Sequence, residues 1–327
     1  MKKMFALALA ATLSTAAWSQ AFPSKTVTLI VPFAAGGPTD LVARHLAEAM
    51  RGPLGNATIV VENAAGAGGT IGATRVARAT PDGHTLLVWH IGMAATASLY
   101  RNLQFKALED FEYLGIINDV PMVVVGAPRL PATTYRDLEN HIRANAGRLN
   151  LAHAGLGSAS HLCGLMWQSA MRLNQSITTI AYRGTGPAMN DLIGGQVDVM
   201  CDQTTNVMPQ IEAGRIKAFA VTTASPLSTH PVLRHYPSLQ EMGLTGFNLT
   251  VWHGLYAPKG TPTAVTKRLN DALQAALRNP EFIKRQEALG AVVARDRRIT
   301  PAGHKAFVAG EITKLRSVIE AAGQFAD

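Results

Sequence analysis

Residues 26–50 read TVTLIVPFAAGGPTDLVARHLAEAM, and this one stretch holds a strand, a turn and a helix in that order. Thr26 to Val31 are all β-branched or apolar, the pattern of a buried strand. Pro32 ends it. Gly36 and Gly37 let the chain turn, Pro38 suits the first helical position because its missing N–H would be unpaired there anyway, and Asp40 falls in the first turn. A strand that runs into a helix start aims several N–H donors at one point, which suits an anion. The stretch therefore predicts half of a carboxylate site.

The same order recurs on either side. Ala57–Val61 reads as a second strand, 63–72 (NAAGAGGTIG) as a glycine-rich turn into a helix ending near Ala79, and Thr85–Trp89 as a third strand. Repeated β-turn-α units predict a parallel sheet with helices on its faces. The turn is not a dinucleotide fingerprint, because a G-x-G-x-x-G starting at Gly66 needs glycine where Ile71 stands. Pro121–Gly126 reads as a strand in a different setting, followed by Pro128, Pro131 and a charged helix from Tyr135 to Ala146, and a domain crossing is expected there.

A second series then begins. Leu149–Ala154 is a strand, 155–157 a turn, and Ser158 an N-cap for a helix with Leu162, Leu165 and Met166 facing inward. Strand Ile177–Ala181 leads to Tyr182-Arg183-Gly184-Thr185-Gly186, with Pro187 at the next helix start, and strand Val197–Cys201 leads to a polar loop opening at Asp202. Arg215–Thr222 is a further strand. Leu249–Trp252 is expected to carry the return crossing, and helices starting near Pro262, Pro280 and Pro301 to form scaffold.

The chain has 327 residues, 30 lysines and arginines against 22 acidic residues, and two cysteines. That length predicts about two domains, each with its own core. Lys2 and Lys3 precede a short apolar run and a small-x-small site at Ser19–Ala21, the plan of an export signal removed near Ala21; the run is too short to span a bilayer. No later uncharged span has membrane length. The positive charge is dispersed, with only RDRR at 295–298 clustered, so it excludes a nucleic-acid footprint and suits steering of anions. Cys163 and Cys201 either pair or lie apart as apolar thiols, since sequence does not give their separation. His161 and Cys163 have no second spaced pair to complete a tetrahedral metal site.

The turns after Val31, Ala154 and Tyr182 each lead into a helix start, and in open α/β sheets ligands settle outside the carboxyl ends of strands. Convergence of such turns would hold an anion by backbone N–H groups. Asp40 reads first as a helix cap, and Ser158 as both cap and ligand neighbour. Asp202 would repel an anion unless it meets an ammonium or hydroxyl, so it points to amino or hydroxy acids. His90, His153 and His253 are further donors or structural histidines; Trp167 reads as core, and Trp252 as a cleft residue. A hydrolase built on Ser158 is the rival reading. Its setting lacks the second glycine of a nucleophile elbow, and His161 on the same helix end is poorly placed as a base.

Several motifs together, VPFAAGGPTD (31–40), ENAAGAGGTIG (62–72), TPDGHTLL (80–87), AGLGSASHL (154–162), YRGTGPAMNDLIGGQVDVM (182–200) and YAPKGTP (256–262), resemble the Bug family, the extracytoplasmic solute receptors of tripartite tricarboxylate transporters. The resemblance implies an α/β fold of the type II periplasmic binding protein kind, two lobes joined by two crossover strands and closing like a flytrap. Lobe 1 would be 22–124 with 250–327, and lobe 2 would be 125–249. It implies a periplasmic, monomeric binding protein with no cofactor and no catalysis, which hands a small carboxylate to an inner-membrane tripartite permease; a sensor that docks on a signalling partner is the variant. Phe33, Ala34, Ala35 and Gly36, with Asp40 behind them, would form one wall. Gly157, Ser158, His161, Tyr182, Thr185, Gly186 and Asp202 would form the other. Residues 89–96 depart from the family pattern, which expects a polar residue such as asparagine near Thr96.

Overall fold

The computed structural model describes residues 22–173 and 175–322. The expected export signal lies outside the described residues. Among those described, no helix is long and apolar enough to cross a membrane.

The chain opens with β1 (Val27–Val31), α1 (Pro38–Arg51), β2 (Ile59–Asn63), α2 (Thr70–Ala77), β3 (Thr85–His90) and α3 (Gly92–Leu99). β1 lies between β2 and β3, parallel to both, with Thr28 opposite Val60 and Thr85. β4 (Phe111–Gly126) follows, then α4 (Tyr135–Asn145), β5 (Asn150–His153), α5 (Ala159–Met171), β6 (Thr178–Ala181), α6 (Thr185–Ile193), β7 (Val199–Gln203), α7 (Thr204–Glu212) and β8 (Lys217–Val221). β5 pairs in parallel with β6 and β7 in a second sheet. β9 (Thr250–Pro258) then returns to the first sheet between β3 and β4, antiparallel to both. α8 (Thr263–Leu277), α9 (Pro280–Glu287), the short β10 (Val292–Val293) and α10 (Pro301–Ala322) complete the chain.

Two expectations change here. The sheets are mixed, not wholly parallel, because β4 and β9 run against their neighbours. The strand expected at 121–126 is the end of a 16-residue strand. Its first part was hidden by polar residues whose partners come from far along the chain. Asn118 is fully buried between His253 and Gln286, and Asp119 takes two hydrogen bonds from Arg298.

β4 joins the two lobes by changing partners. Up to Pro121 it pairs with β9, and from Met122 it pairs with β7 and β8. Pro121 has no N–H to donate, and it stands where one ladder gives way to the other. Beside it the buried Thr222 ties the crossings together. Its hydroxyl accepts from Met122 N–H at 3.1 Å and donates to Leu249 O at 2.7 Å, while Leu249 N–H donates back to Thr222 O at 2.9 Å.

β7 is buried on both faces, so its alternate residues enter different cores. Val199 and Cys201 join the cluster that includes Trp167 of α5, and Met200 joins Leu192 of α6 and Val207 of α7. Trp167 is core as expected, its indole N–H donating to the Tyr135 hydroxyl. On α5 the fully buried face carries Leu162, Cys163 and Trp167, whereas Leu165 and Met166 are half-buried. Cys163 and Cys201 form a disulfide with Cα atoms 6.0 Å apart, which fastens α5 to β7. Trp252 does not line the cleft: it packs edge-on to Phe307 and donates to Glu311 of α10.

Candidate functional site

The corner between β1 and α1 is held from behind by Asp40. Its carboxylate accepts from Gly36 N–H at 3.0 Å, from the Arg44 guanidinium at 2.9 and 3.0 Å, and from Asn63 Nδ2 at 3.0 Å, while Asn63 also donates to Phe33 O. Burial alone would raise this carboxyl, but those donors outweigh it and hold it below its ordinary value. Asp40 therefore spends its acceptor capacity on the loop. Gly36, at φ +81°, takes a conformation that a side chain would strain. Phe33 stacks on His90 with ring centroids 4.8 Å apart.

Opposite this corner, Ser158 caps α5 by accepting His161 N–H at 3.2 Å. Ser160 Oγ accepts from Ala154 N–H and lies 3.2 Å from Ser158 Oγ. When Ser160 donates across that gap, the Ser158 proton is left to point elsewhere. The His161 ring accepts Gly157 N–H on Nδ1, so it meets Ser158 through its backbone and not as a base. Gly157 packs closely on α3 of the first lobe, where an added Cβ would meet Thr96 at 3.0 Å. Tyr182 turns its hydroxyl away, to Asp191 at 2.6 Å.

The lobes touch backbone to backbone. Ala34 N–H donates to Arg183 O at 2.9 Å, and a Cβ on Gly186 would meet Ala35 O at 3.0 Å. At the other end of the cleft, Gly68 lies so close to Leu156 O that a Cβ would come within 1.7 Å of it. The Tyr100 hydroxyl bridges the same gap, 2.9 Å from Ala67 O and 3.1 Å from Leu156 O.

Between these contacts lies a cavity of about 10 Å³, room for about one water. Phe33, Gly37, Pro38, Thr39 and His90 line it from the first lobe, and Ala154, Ser158, Ala159, Ser160, Thr185, Asp202 and Gln203 from the second. Of the twelve residues singled out in the sequence, Phe33, Ser158, Thr185 and Asp202 line it directly. Ala34, Ala35, Gly36 and Gly186 make the contact that closes it, and Gly157 and His161 support the Ser158 turn. Asp40 stands behind, and the Tyr182 hydroxyl points away. Thr39, Ser160 and Gln203 were missed. The signal for Gln203 was its place between a strand and a helix, since it is the N-cap residue of α7.

Four helix starts thus meet at one point: α1, α5, α6 and α7. No lysine or arginine lines the cavity. His90 and His153 add no charge near neutrality. Burial lowers His90 to about 3, and burial together with the neighbouring His161 lowers His153 to about 4. His90 Nδ1 accepts Gly92 N–H, so its own proton sits on Nε2. Asp202 goes the other way. Burial raises it to about 7, against the lowering influence of Asn206, Gln203 N–H and the nearby Thr185 hydroxyl, which does not reach hydrogen-bond geometry. A roomier groove of about 590 Å³ beside Arg143 and Arg148 lies apart from this convergence.

Residues 42–323 match the model of the tripartite tricarboxylate transporter family receptor. Among solved structures, the periplasmic binding protein BugD is 45% identical with a TM-score of 0.89, over 94% of this chain and all of that one. MatC (Rpa3494) from Rhodopseudomonas palustris with bound malate is 37% identical, TM-score 0.86, over 91% of this chain and all of that one. Rpa4515 from R. palustris with adipate is 32% identical, TM-score 0.85, over 92% and 98%. These neighbours share the two-lobed α/β architecture described above. The chain belongs to the tripartite tricarboxylate transporter receptor family, whose members are solute-binding proteins of the periplasm.

Proposed function

We propose that this protein captures a small carboxylate between its lobes and delivers it to a tripartite tricarboxylate-type permease. The observation that carries this reading is the meeting of four helix N-termini around a cavity lined by no basic side chain. Backbone N–H groups at helix starts hold an anion without a counter-charge. Each such bond to a charged group contributes about 1.5 to 3 kcal/mol. Ser158 O–H and His90 Nε2–H supplement them.

The lobes would divide at the two crossings, as 22–124 with 250–327 and as 125–249. Thr222 would be the pivot, because it bonds both crossings at once. With room for one water, the cavity in this closed arrangement admits an acid only after the lobes part. The malate and adipate carried by two structural neighbours are of the chemical class such a cleft suits. The hydrolase reading finds no support in the contacts of Ser158, which serves as a cap while the His161 Nδ1 is committed to Gly157.

Thermal melting of the mature protein against a panel of mono-, di- and tricarboxylic acids tests the reading. A bound acid at 100 times its dissociation constant adds about 2.7 kcal/mol, so the melt should shift upward for at least one acid and for no neutral analogue. A complete panel that leaves the melt unmoved overturns it.

A further inference from the structure

Helix starts account for an anion, yet the same wall carries acceptors that an anion would repel. Asp202 is 1% exposed, and only Oδ2 has a side-chain donor, from Asn206. Its Oδ1 is buried without a hydrogen-bond partner. Gln203 Oε1 is buried without a partner too, at 2% residue exposure, and the Thr185 hydroxyl beside Asp202 falls short of hydrogen-bond geometry. All three residues line the cavity. Leaving one such group unmet costs about 1 to 3 kcal/mol, and more for a charged group, so a cluster of them facing one space calls for a donor in that space.

The shared lining of the cavity sets what that donor accompanies. N–H groups of α1 and α5 and the acceptors of Asp202 and Gln203 border the same small volume. A carboxylate on the former and a donor on the latter therefore belong side by side on one small molecule, the arrangement of an acid substituted at carbon 2.

We propose that the acid recognised here bears a hydroxyl or ammonium group on the carbon next to its carboxylate, and that Asp202 Oδ1 accepts from it, with Gln203 Oε1 alongside. This deepens the carboxylate reading and rests on it. Asp202 is then a specificity residue, admitting acids substituted at carbon 2 and disfavouring their unsubstituted counterparts, which leave its carboxylate unmet.

Calorimetric titration of the mature protein with two matched sets tests it: malate, aspartate and succinate, and 2-hydroxyglutarate, glutamate and glutarate. Within the set that binds, the hydroxy or amino acid should be at least about tenfold tighter than the plain diacid. Preference for the amino acid identifies an ammonium, and preference for the hydroxy acid identifies a hydroxyl. In Asp202→Asn, checked for folding by its melt, the ratio should fall below about threefold, because an amide that also donates no longer separates the ligands. Equal affinities in the unmodified protein, or an undiminished ratio in Asp202→Asn, overturn the proposal and leave the carboxylate reading standing. Failure of all six acids to bind at millimolar concentration overturns the proposal, and removes the carboxylate reading as well when the full panel of mono-, di- and tricarboxylic acids also leaves the melt unmoved.

Discussion

Asp40 and Asp202 occupy similar places in the two lobes, each buried where a strand meets a helix beside the cleft, and each has a side-chain partner four residues on. For Asp40 that partner is Arg44, and for Asp202 it is Asn206. A cation joined by Gly36 N–H and Asn63 completes the first carboxylate and depresses its pKa; a single amide leaves one oxygen of the second unmet, and burial raises it to about 7. The two differ in what their own segment supplies. One aspartate is finished by the fold and shapes the loop, and the other is left for something that arrives later.

The largest test of this contrast removes the brace that only the second wall has. The disulfide closes a loop of 38 residues, which corresponds to about 4 kcal/mol of chain entropy. Replacing Cys163 and Cys201 together by serine should lower the guanidinium unfolding free energy by that order. Amide exchange should quicken around Asp202 while the Asp40 corner keeps its protection.

Next is the pH dependence of Asp202→Asn. With a folded pKa of about 7 against a model value of 3.8, the native state holds a proton that the unfolded chain has released. The stability this group contributes is therefore full below pH 3.8 and lost as pH rises through 7, by about 4 kcal/mol for a shift of this size. His90 and His153, depressed by burial, act in the opposite sense, gaining stability as pH rises through the range between their folded and ordinary values. Asp40 contributes stability that is lost in acid. All three cancel when the variant is compared with the parent. Urea unfolding at pH 4, 6 and 8 should show the parent losing ground to Asp202→Asn at each step. A constant difference would mean that Asp202 is as well satisfied as Asp40.

Arg44→Asn gives Asp40 the partner that Asp202 has. Its guanidinium is half exposed, so water screens much of the pair and the expected loss at pH 7 is about 1 kcal/mol, shrinking as acid protonates Asp40. Smallest in stability is Ser158→Ala, which removes a cap worth about 1 kcal/mol but should weaken the best-binding acid by about tenfold. Unchanged affinity would confine Ser158 to capping.

The corner after β1 was legible because its requirements are local: β-branched residues for the strand, Pro38 for the helix start, and Asp40 with Arg44 one helical turn apart. Ser158, Thr185 and Asp202 were legible for the same reason, each standing at a strand-to-helix turn. The first part of β4 was not, since Asn118, Asp119 and Pro121 look unfit for a sheet interior until His253, Gln286 and Arg298 are brought to them. Trp252 misled because its partner, Glu311, lies 59 residues further on. The Tyr182 hydroxyl misled because Asp191, on the next helix, takes it away from the cleft. Local rules find where a ligand can be met. Which side chains remain unmet depends on the whole packing.

The near-touch of Gly68 and Leu156 O has a consequence for how affinity is set in this molecule. A single methyl at residue 68 would act as a doorstop, wedging the jaws ajar at a spot that lines no part of the cavity. Grip on the solute would then be governed from the rim, by how often the mouth can shut.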